Sequence, residues 1–310
     1  MRQAIAIDLG GTKISWAIVN ESYEFQQRLQ VPTPATTEAV IDELGHIVDE
    51  AVASVPDPAG VGIGVAGLVD HGRGLIVAAP NLPLAGEPII ERLHARWGFE
   101  CQIDNDANLA VLGELVAGAG RGRRDFIGLT VGTGIGGGII IDGRLWRGHK
   151  GAAGEFGHMI VDPRGPVCGC GNHGCLETKA SGTAIERLAK ESVAGKPGSA
   201  LAKSVGGDAE LMTGLIVAKE ARTGNDEALA VLAEAGRWLG IGIGNLINIF
   251  DPEIVVVGGG VAGSLDLVMD HIENRVRQVV IDPRGQETPI SLSRLENSAG
   301  LLGAAALILG

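Results

Sequence analysis

The chain has 310 residues, of which 45% are hydrophobic and 20% are charged, and its formal net charge is −12 at pH 7. This length is enough for two domains with substantial cores, and the composition is typical of a folded globular protein and not of a disordered one. The acidic balance, without a long run of Lys or Arg to offset it, argues against a general nucleic-acid-binding surface.

The N-terminal sequence lacks a basic region followed by a long apolar core, so no secretory signal is expected. No stretch approaches the roughly 18 uninterrupted apolar residues that a membrane-spanning helix needs. We therefore expect a cytoplasmic protein without membrane contacts. In that compartment thiols stay reduced, so clustered cysteines are more typical of a metal site than of disulfides.

One pattern occurs twice along the chain: an apolar run, a glycine turn and a second apolar run. It covers residues 4–20 and 126–143, and both copies predict β-hairpins. Apolar periodicity and turn residues predict the other elements, which are helices at 36–54, 107–117 and 227–248 and strands at 61–65, 75–78, 101–104 and 254–258. Strands that alternate with helices predict an α/β fold, with one sheet in each of two duplicated domains and a cleft between them. We expect the boundary near the glycine-rich residues 117–125.

The turn of the first hairpin, "DLGGTK" from Asp8 to Lys13, has the chemistry of a phosphate-binding loop. Glycines let backbone N–H groups approach a phosphate, Thr12 adds a hydroxyl donor, and Asp8 is suited to hold magnesium through water. A Gly-Gly turn alone is also explained by a tight hairpin. The second hairpin turn, "GTGIGGG" at 132–138, repeats the chemistry and favours phosphate binding, although neither loop is a Walker P-loop.

A third glycine cluster, "VVVGGGVAG" at 255–263, follows a buried strand pattern and precedes a helix. Its amides are suited to meet a nucleotide, so a dehydrogenase is a competing interpretation. The acidic ribose ligand of dehydrogenases is not evident, because the next strand-like stretch is "QVVIDP" at 278–283, after a long helix.

Asp104, Asn105 and Asp106 lie between the strand pattern at 101–104 and the following helix. An Asp at a helix start is explained by N-capping alone. The functional interpretation is that Asp106 accepts the proton of a substrate hydroxyl as the oxygen attacks a γ-phosphate. Asn105 would then bond a sugar with both its amide donor and its carbonyl acceptor.

Three of the four cysteines are clustered as Cys168-x-Cys170-x4-Cys175, and His158 lies ten residues before the first of them. This Cys3His set is suited to a tetrahedral zinc ion, and four protein ligands leave no open position, so the zinc would be structural. A reactive thiol pair is the alternative for such a cluster. Cys101 stands apart and is expected in the core.

Taken in order, the segments "DLGGTK", "DNDAN", "GTGIGGG", "GAAGEFGH", "CGCGNHGC" and "VVVGGGVAG" resemble the ROK family of bacterial sugar kinases and repressors. That family belongs to the hexokinase–actin–Hsp70 ATPase superfamily, and the resemblance runs from about residue 4 to the C-terminus. It implies a two-lobed ribonuclease H-like (actin-like ATPase) fold with ATP bound between the lobes. The implied domains are 1–117 with a C-terminal helix at about 297–310, and 118–296.

The resemblance also implies roles for individual residues. Asp106 matches the catalytic base. The predicted ligands are Asn81, Asn105, Asp106, Glu155, His158 and Glu177 for the sugar, Asp8, Gly10, Gly11, Thr12, Lys13, Thr133, Gly134, Gly259 and Gly260 for Mg²⁺ and ATP, and His158, Cys168, Cys170 and Cys175 for Zn²⁺. A zinc-bound His normally bonds an outer partner through its second ring nitrogen. We expect that nitrogen of His158 to bond a sugar hydroxyl.

"GAAGEFGH" and "CLETKASG" are similar to ROK glucokinases, so the expected reaction is ATP-dependent phosphorylation of the 6-hydroxyl of glucose. Two departures leave mannose, fructose, N-acetylglucosamine and N-acetylmannosamine open as substrates: Leu84 stands where many of these glucokinases have Trp, and "DND" replaces the more usual "END".

Other kinds of protein in or near the family remain as alternatives. They are a non-catalytic sugar sensor, a chaperone-like or actin-like ATPase, which would not need the cysteine segment, and a repressor. About seven residues precede "DLGGTK", where family repressors carry a DNA-binding segment, so an enzyme is favoured. Family members usually form homodimers or homotetramers, and we expect one of these.

Overall fold

The computed structural model describes residues 2–55 and 57–310. The strands are β1 Gln3–Leu9, β2 Lys13–Asn20, β3 Phe25–Pro32, β4 Val61–Val65, β5 Leu68–Asp70, β6 Leu75–Ala78, β7 Cys101–Asn105, β8 Phe126–Val131, β9 Ile135–Ile141, β10 Arg144–Leu145, β11 Ile254–Gly258 and β12 Ile290–Leu292. The helices are α1 Thr37–Ser54, α2 Ile89–Trp97, α3 Asp106–Ala117, α4 Glu177–Ala180, α5 Gly182–Gly195, α6 Ala200–Ser204, α7 Gly214–Arg222, α8 Asp226–Phe250, α9 Ala262–Leu265, α10 Met269–Val279 and α11 Ala299–Leu309.

The predicted strands and helices are confirmed to within one or two residues at their ends. One difference concerns the strand-like stretch at 278–283: α10 continues to Val279, so its first residues are helical. Val276, one turn before the helix end, is buried. Its burial favours the helix, although the β-branched residues of this stretch prefer strands. Among residues 2–55 and 57–310, no helix combines the length and apolar character needed to cross a membrane.

The chain folds into two compact units. Unit 1 runs up to Arg124 and also contains Gly138–Gly154 and Asn297–Gly310, and unit 2 contains Asp125–Gly137 and Glu155–Glu296. The bounds predicted from the sequence placed all of 118–154 in the second domain. In the structure, residues 118–124 and Gly138–Gly154 belong to unit 1, and Asp125–Gly137 belongs to unit 2. Gly138 lies directly against Val111 of α3, where an added Cβ would be 3.1 Å from Val111 Cβ.

Unit 1 is built around a five-stranded sheet with the order β3–β2–β1–β4–β7. β1, β4 and β7 are parallel neighbours, and the mostly buried residues of β1 and β4 are typical of strands covered on both faces. The core beside this sheet contains the fully buried side chains of Trp16, Ile63 and Leu84. β5 and β6 form a separate antiparallel pair.

The C-terminal helix α11 packs closely on this sheet and on α3. An added Cβ at Gly62 of β4 would lie 1.9 Å from the carbonyl oxygen of Ala304, and one at Gly113 of α3 would lie 2.1 Å from that of Ala299. Glycine at both positions therefore lets the backbones approach. The first turn of α11 lies beside the carboxyl end of β1 as a result.

The second sheet has the order β10–β9–β8–β11–β12, with β8, β11 and β12 parallel. In unit 2 the long helix α8 is covered by α10, and Gly240 allows their close contact because an added Cβ would lie 2.7 Å from the carbonyl oxygen of Ile272. Two sheets with helical layers agree with the predicted α/β class.

Candidate functional site

The polar residues predicted for catalysis in unit 1 lie at the carboxyl ends of its parallel strands. Asp8 of β1 is in register with Gly64 of β4, and Gly64 with Asp104 of β7. Neighbouring strands are about 4.8 Å apart, so the backbones at Asp8 and Asp104 are separated by about 10 Å. Ligands of parallel α/β sheets bind at this edge.

The first glycine loop connects β1 to β2. The Gly10 N–H donates to the carbonyl of Lys13 at 3.1 Å, and Thr33 Oγ1 donates to the carbonyl of Gly10 at 2.6 Å, so the turn is held from both sides. Gly11 lies against Asn81, where an added Cβ would be 2.8 Å from Asn81 Cβ. The structure thus brings two predicted elements, the phosphate loop and Asn81, into contact.

Asp8 is partly buried beside this loop. Burial raises the pKa of its carboxyl, while the cations of Lys13 and Arg28 act to lower it. An added Cβ at Gly300 would lie 3.7 Å from Asp8 Oδ2, which puts the carboxylate beside the first turn of α11. A helix N-terminus stabilises a negatively charged carboxylate, and so would a bound cation. The position of Asp8 is therefore suited to a residue that associates with Mg²⁺.

The turn between β7 and α3 shows which residue caps the helix. Asn105 Oδ1 accepts from the N–H groups of Ala107 and Asn108 at 2.9 and 3.1 Å, so Asn105 and not Asp106 is the N-cap. Asn105 Nδ2 donates to the carbonyl of Gly67 at 3.0 Å. Of the two sugar contacts predicted for Asn105, the carbonyl oxygen is therefore already used in capping, and the amide donor stays a prediction.

Asp106 is the first residue of α3, and its Oδ1 accepts from the N–H of Ala107 at 2.9 Å. The positive end of the helix dipole stabilises the ionised carboxylate here. Capping alone does not account for this residue, because Asn105 supplies the cap. The position places a carboxylate directly after the carboxyl end of β7.

Asp104, directly before this turn, is a buried carboxylate at 2% exposure. Its Oδ2 accepts from Arg147 Nε at 2.6 Å, and its Oδ1 accepts from the Asn105 N–H at 2.8 Å and from Asn108 Nδ2 at 2.9 Å. His71 Nδ1 lies 3.8 Å from Oδ2. Sequence reasoning missed Arg147, because a partner 43 residues away leaves no local pattern.

The second glycine loop, Gly132–Gly134 between β8 and β9, lines a cavity of about 400 Å³ within unit 2. This volume lies in the range of small-molecule pockets. The predicted residues Thr133 and Gly260 line it. The sequence did not single out the other polar and apolar lining residues that lie near them, which include Thr183, Glu186, Thr213, Leu215 and Val261.

Gly259, predicted for the adenosine site, has φ +93, and an added Cβ would lie 2.5 Å from the carbonyl oxygen of Val131. Only glycine fits this turn. The Val261 N–H donates to the same carbonyl at 2.9 Å, which holds the turn against the end of β8.

The predicted metal ligands form one cluster in unit 2: the ligand atoms of His158, Cys168, Cys170 and Cys175 all lie within 4.8 Å of one another. Zn–S bonds of 2.3 Å and Zn–N bonds of 2.0–2.1 Å in a tetrahedron place two sulfurs about 3.8 Å apart and sulfur and nitrogen about 3.6 Å apart. The Cys170–Cys175 sulfurs are 3.7 Å apart, and Cys168 Sγ is 3.5 Å from His158 Nδ1. The cluster therefore fits a four-ligand zinc site.

The thiols of the cluster have different environments. The backbone N–H of Asn172 lowers the pKa of Cys170 to about 7, whereas burial raises the pKa of Cys175 to about 12. A dication shared by the sulfurs favours the thiolate of each. Outside the cluster, burial raises the pKa of Cys101 to about 11, as expected for a structural thiol at the edge of the core.

His158 presents its two ring nitrogens to different partners. Nδ1 faces Cys168, while Nε2 lies 3.9 Å from Glu155 Oε2. Both the His158 ring and the Glu155 carboxylate are partly exposed, at 37% and 55%. The nitrogen that does not face the cluster is thus directed toward another predicted sugar ligand, and both groups are accessible to a small molecule.

Glu177 has contacts that the sequence did not predict. Its Oε2 accepts from the N–H of Ile135, the residue after the second glycine loop, at 2.9 Å. Its Oε1 lies 3.8 Å from Cys168 Sγ. The predicted sugar ligand therefore lies between the cysteine cluster and the second glycine loop.

The fold matches those of solved sugar kinases. The chain is 39% identical to a ROK family glucokinase from Streptomyces griseus, solved in complex with glucose and AMPPNP, with 98% of each chain covered and a TM-score of 0.85. A ROK hexokinase from Thermus thermophilus is 33% identical, with 98% of this chain and 97% of that chain covered and a TM-score of 0.82. The protein therefore has the actin-like ATPase fold of these enzymes, and the predicted fold class is confirmed.

Sequence comparison identifies the family. A glucokinase from Streptomyces coelicolor is 39% identical over 312 residues, which cover 99% of this chain and 98% of the relative. The ROK family matches residues 4–310. The chain belongs to the ROK family, and the resemblance inferred from its motifs is confirmed.

Proposed function

We propose that the protein is an ATP-dependent kinase that transfers a phosphoryl group to the 6-hydroxyl of glucose, with Asp106 as the general base. The observation that carries the proposal is the full-length similarity, at 39% identity, to a glucokinase that was solved with glucose and an ATP analogue. Asp106 at the start of α3, both glycine loops and the nucleotide-sized cavity are the parts that this reaction needs.

Asp106 accepts the proton of the sugar hydroxyl as its oxygen attacks the γ-phosphorus. The positive end of the α3 dipole favours negative charge on this carboxylate, and the charged form is the one that receives the proton. Phosphoryl transfer depends mainly on positioning and on charge stabilisation. Asp104, Asn105 and Asn108 fix the turn that carries Asp106 through the hydrogen bonds described above.

The nucleotide is held by backbone groups and small side chains. Gly10–Lys13 would contact its phosphates in unit 1, and Thr133, Gly134, Gly259 and Gly260 would contact phosphate and adenosine in unit 2. Carboxylate oxygens are the ligands that Mg²⁺ prefers, so the partly buried Asp8 is the proposed residue for the ion. Bound Mg²⁺ would supply charge neutralisation of the phosphates.

We propose Zn²⁺ for the Cys3His cluster, because its interatomic distances fit a closed tetrahedral site. Its ligands hold the His158 ring so that Nε2 and the neighbouring Glu155 are directed to sugar hydroxyls. Asn81, Asn105 and Glu177 remain predicted sugar ligands. Cytoplasmic location and assembly as a homodimer or homotetramer also stay predictions.

A coupled assay of ADP release with ATP and a panel of hexoses tests the proposal. The panel contains glucose, mannose, fructose, N-acetylglucosamine and N-acetylmannosamine, and we expect the highest kcat/KM with glucose. Leu84, the departure from the glucokinase pattern, is fully buried in the core of unit 1, so it is not available for direct sugar contact. A higher kcat/KM with another hexose would replace glucose as the assigned substrate.

The Asp106→Ala variant tests the base. We expect kcat to fall by at least 10²-fold, within the usual contribution of a general base, while glucose binding measured by calorimetry changes little. Asp42→Ala, which removes an exposed carboxylate from α1, is the control and should keep wild-type turnover. Retained turnover in Asp106→Ala would contradict the assignment and favour a different base.

A further inference from the structure

The carboxylate of Glu177 lies directly against the backbone of the second glycine loop. It accepts the Ile135 N–H at 2.9 Å, and a Cβ added to Gly134 would lie 2.2 Å from Glu177 Oε2. A side chain at position 134 would therefore displace the carboxylate. The C-terminal end of the loop is fixed through this contact.

The start of α5 holds the rest of the same loop. The Gly182 N–H donates to the carbonyl of Gly132 at 2.7 Å, and Thr183 Oγ1 donates to the carbonyl of Thr133 at 2.8 Å. In a trans peptide the N–H points opposite to the carbonyl. Because α5 binds the carbonyls of Gly132 and Thr133, the N–H groups of Thr133 and Gly134 are turned away from it, in the orientation that a phosphate needs.

Glu177 also lies beside the cysteine cluster. It follows Cys175 by two residues, and its Oε1 lies 3.8 Å from Cys168 Sγ. Leu176, between them, is fully buried, and its N–H donates to the carbonyl of Met159 at 2.8 Å. The backbone that carries the carboxylate is thus part of the cluster's own loop.

From these contacts we infer that Glu177 is a positioning residue of the phosphate loop, and that it couples the Cys3His cluster to nucleotide binding. The inference rests on the proposed kinase function and adds to it, because the family motif implies a sugar ligand at this position. Loss of the carboxylate releases the Ile135 N–H and the Gly134 backbone, so the loop loses the orientation that binds phosphate. Nucleotide affinity in the absence of sugar is then the property that changes first.

Calorimetric titration of the Mg²⁺ complex of a non-hydrolysable ATP analogue, without sugar, tests the inference. We expect Glu177→Ala to bind the analogue about tenfold more weakly, which corresponds to about 1.4 kcal/mol. Glu177→Gln keeps an oxygen that accepts from Ile135 and should bind within about threefold of wild type. Glu191→Ala, which removes an exposed carboxylate from α5, is the matched control and should bind as wild type.

Two further variants keep the test decisive. Glu177→Asp keeps the charge beside the cluster but is too short to reach Ile135, so it should weaken nucleotide binding even if the alanine variant is unstable. Gly134→Ala displaces the carboxylate of Glu177 by direct contact and should weaken binding of the ATP analogue. If the carboxylate is already absent, as in Glu177→Ala, the same substitution should weaken binding by a factor at least threefold smaller than in wild type. Zinc content measured for every variant shows whether the cluster is retained.

The outcomes separate the two roles of Glu177. If Glu177→Ala and Glu177→Asp retain zinc and bind the analogue as tightly as wild type while the KM for sugar rises, the inference is wrong and Glu177 acts only on sugar. If the wild-type protein itself does not bind the analogue, the proposed kinase function is what fails. Equal effects of Gly134→Ala in both backgrounds would also overturn the inference.

Discussion

Replacement of Arg147 by Met removes the cation that faces the buried carboxylate of Asp104. Met has a similar length and keeps most of the packing of the Arg stem. The change leaves Asp104, which is 2% exposed, with its two hydrogen bonds from Asn105 and Asn108 and with His71 Nδ1 3.8 Å away, but without the permanent cation of Arg147. The result should be a loss of stability in unit 1.

The size of the loss follows from the geometry. Removing one partner of a fully buried ion pair costs about 3–5 kcal/mol. Arg147 is 26% exposed, so water reaches this pair, and Asp104 Oδ1 remains satisfied. The loss of one hydrogen bond to a charged group is therefore the closer comparison, and we expect the free energy of unfolding to fall by about 2–3 kcal/mol. For a unit of this size that corresponds to a fall in Tm of about 4–12 °C.

Thermal unfolding followed by circular dichroism measures the effect. Arg144→Met is the control: Arg144 is exposed on β10, three residues before Arg147, and no ion pair to it occurs among the residues that the structure describes. It should change Tm little. Asp104→Asn combined with Arg147→Met removes the unpaired charge and should recover part of the loss. If Arg147→Met lowers Tm no more than Arg144→Met, the buried ion pair does not stabilise the turn and the reasoning is refuted.

Three other predictions concern the metal, a glycine and a carboxylate. Chelation of zinc should lower Tm and raise the KM for sugar, because His158 loses its fixed ring orientation; unchanged values after confirmed metal removal would contradict this role. Gly259→Ala should abolish measurable binding of the ATP analogue, because the residue needs φ +93 and has no room for Cβ beside Val131, and near-normal affinity would show that the turn relaxes. Burial raises the pKa of Asp8, so the wild type loses stability as pH rises from the unfolded pKa through the folded one. Asp8→Asn should therefore have a higher Tm than wild type at pH 8, and the difference in Tm should be smaller at pH 4. Its turnover should fall. A Tm difference that does not change with pH would contradict the raised pKa of Asp8.

The cysteine cluster and the glycine turns were predictable because their signals are local. Cys168, Cys170 and Cys175 lie within eight residues, and a short loop of this length restricts the sulfurs to one neighbourhood. Likewise, a glycine turn between two apolar runs predicts a hairpin tip without knowledge of the rest of the fold. The order of these motifs was sufficient to indicate the ROK family.

The role of each residue within the turn at 104–106 was not predictable in the same way. The sequence left open whether Asp106 caps α3, and the structure assigns the cap to Asn105. All three residues are of types, Asp and Asn, that are competent N-caps and hydrogen-bond acceptors. The choice among them depends on Gly67 and Arg147, which bond Asn105 and Asp104 from distant parts of the chain.

The sequence by itself determined the family, the α/β class, the glycine loops and the Cys3His cluster, since each is encoded by neighbouring residues whose spacing limits their geometry. Only the tertiary structure decided that Arg147 neutralises Asp104 and that Glu177 bonds the backbone after the second glycine loop. These pairs are separated by 43 and 42 residues. A contact between residues so far apart in the sequence depends on how strands and helices pack. By its chemistry alone, a carboxylate can bind a sugar, a metal or a backbone N–H. Only the packing brings one of these partners within hydrogen-bond distance.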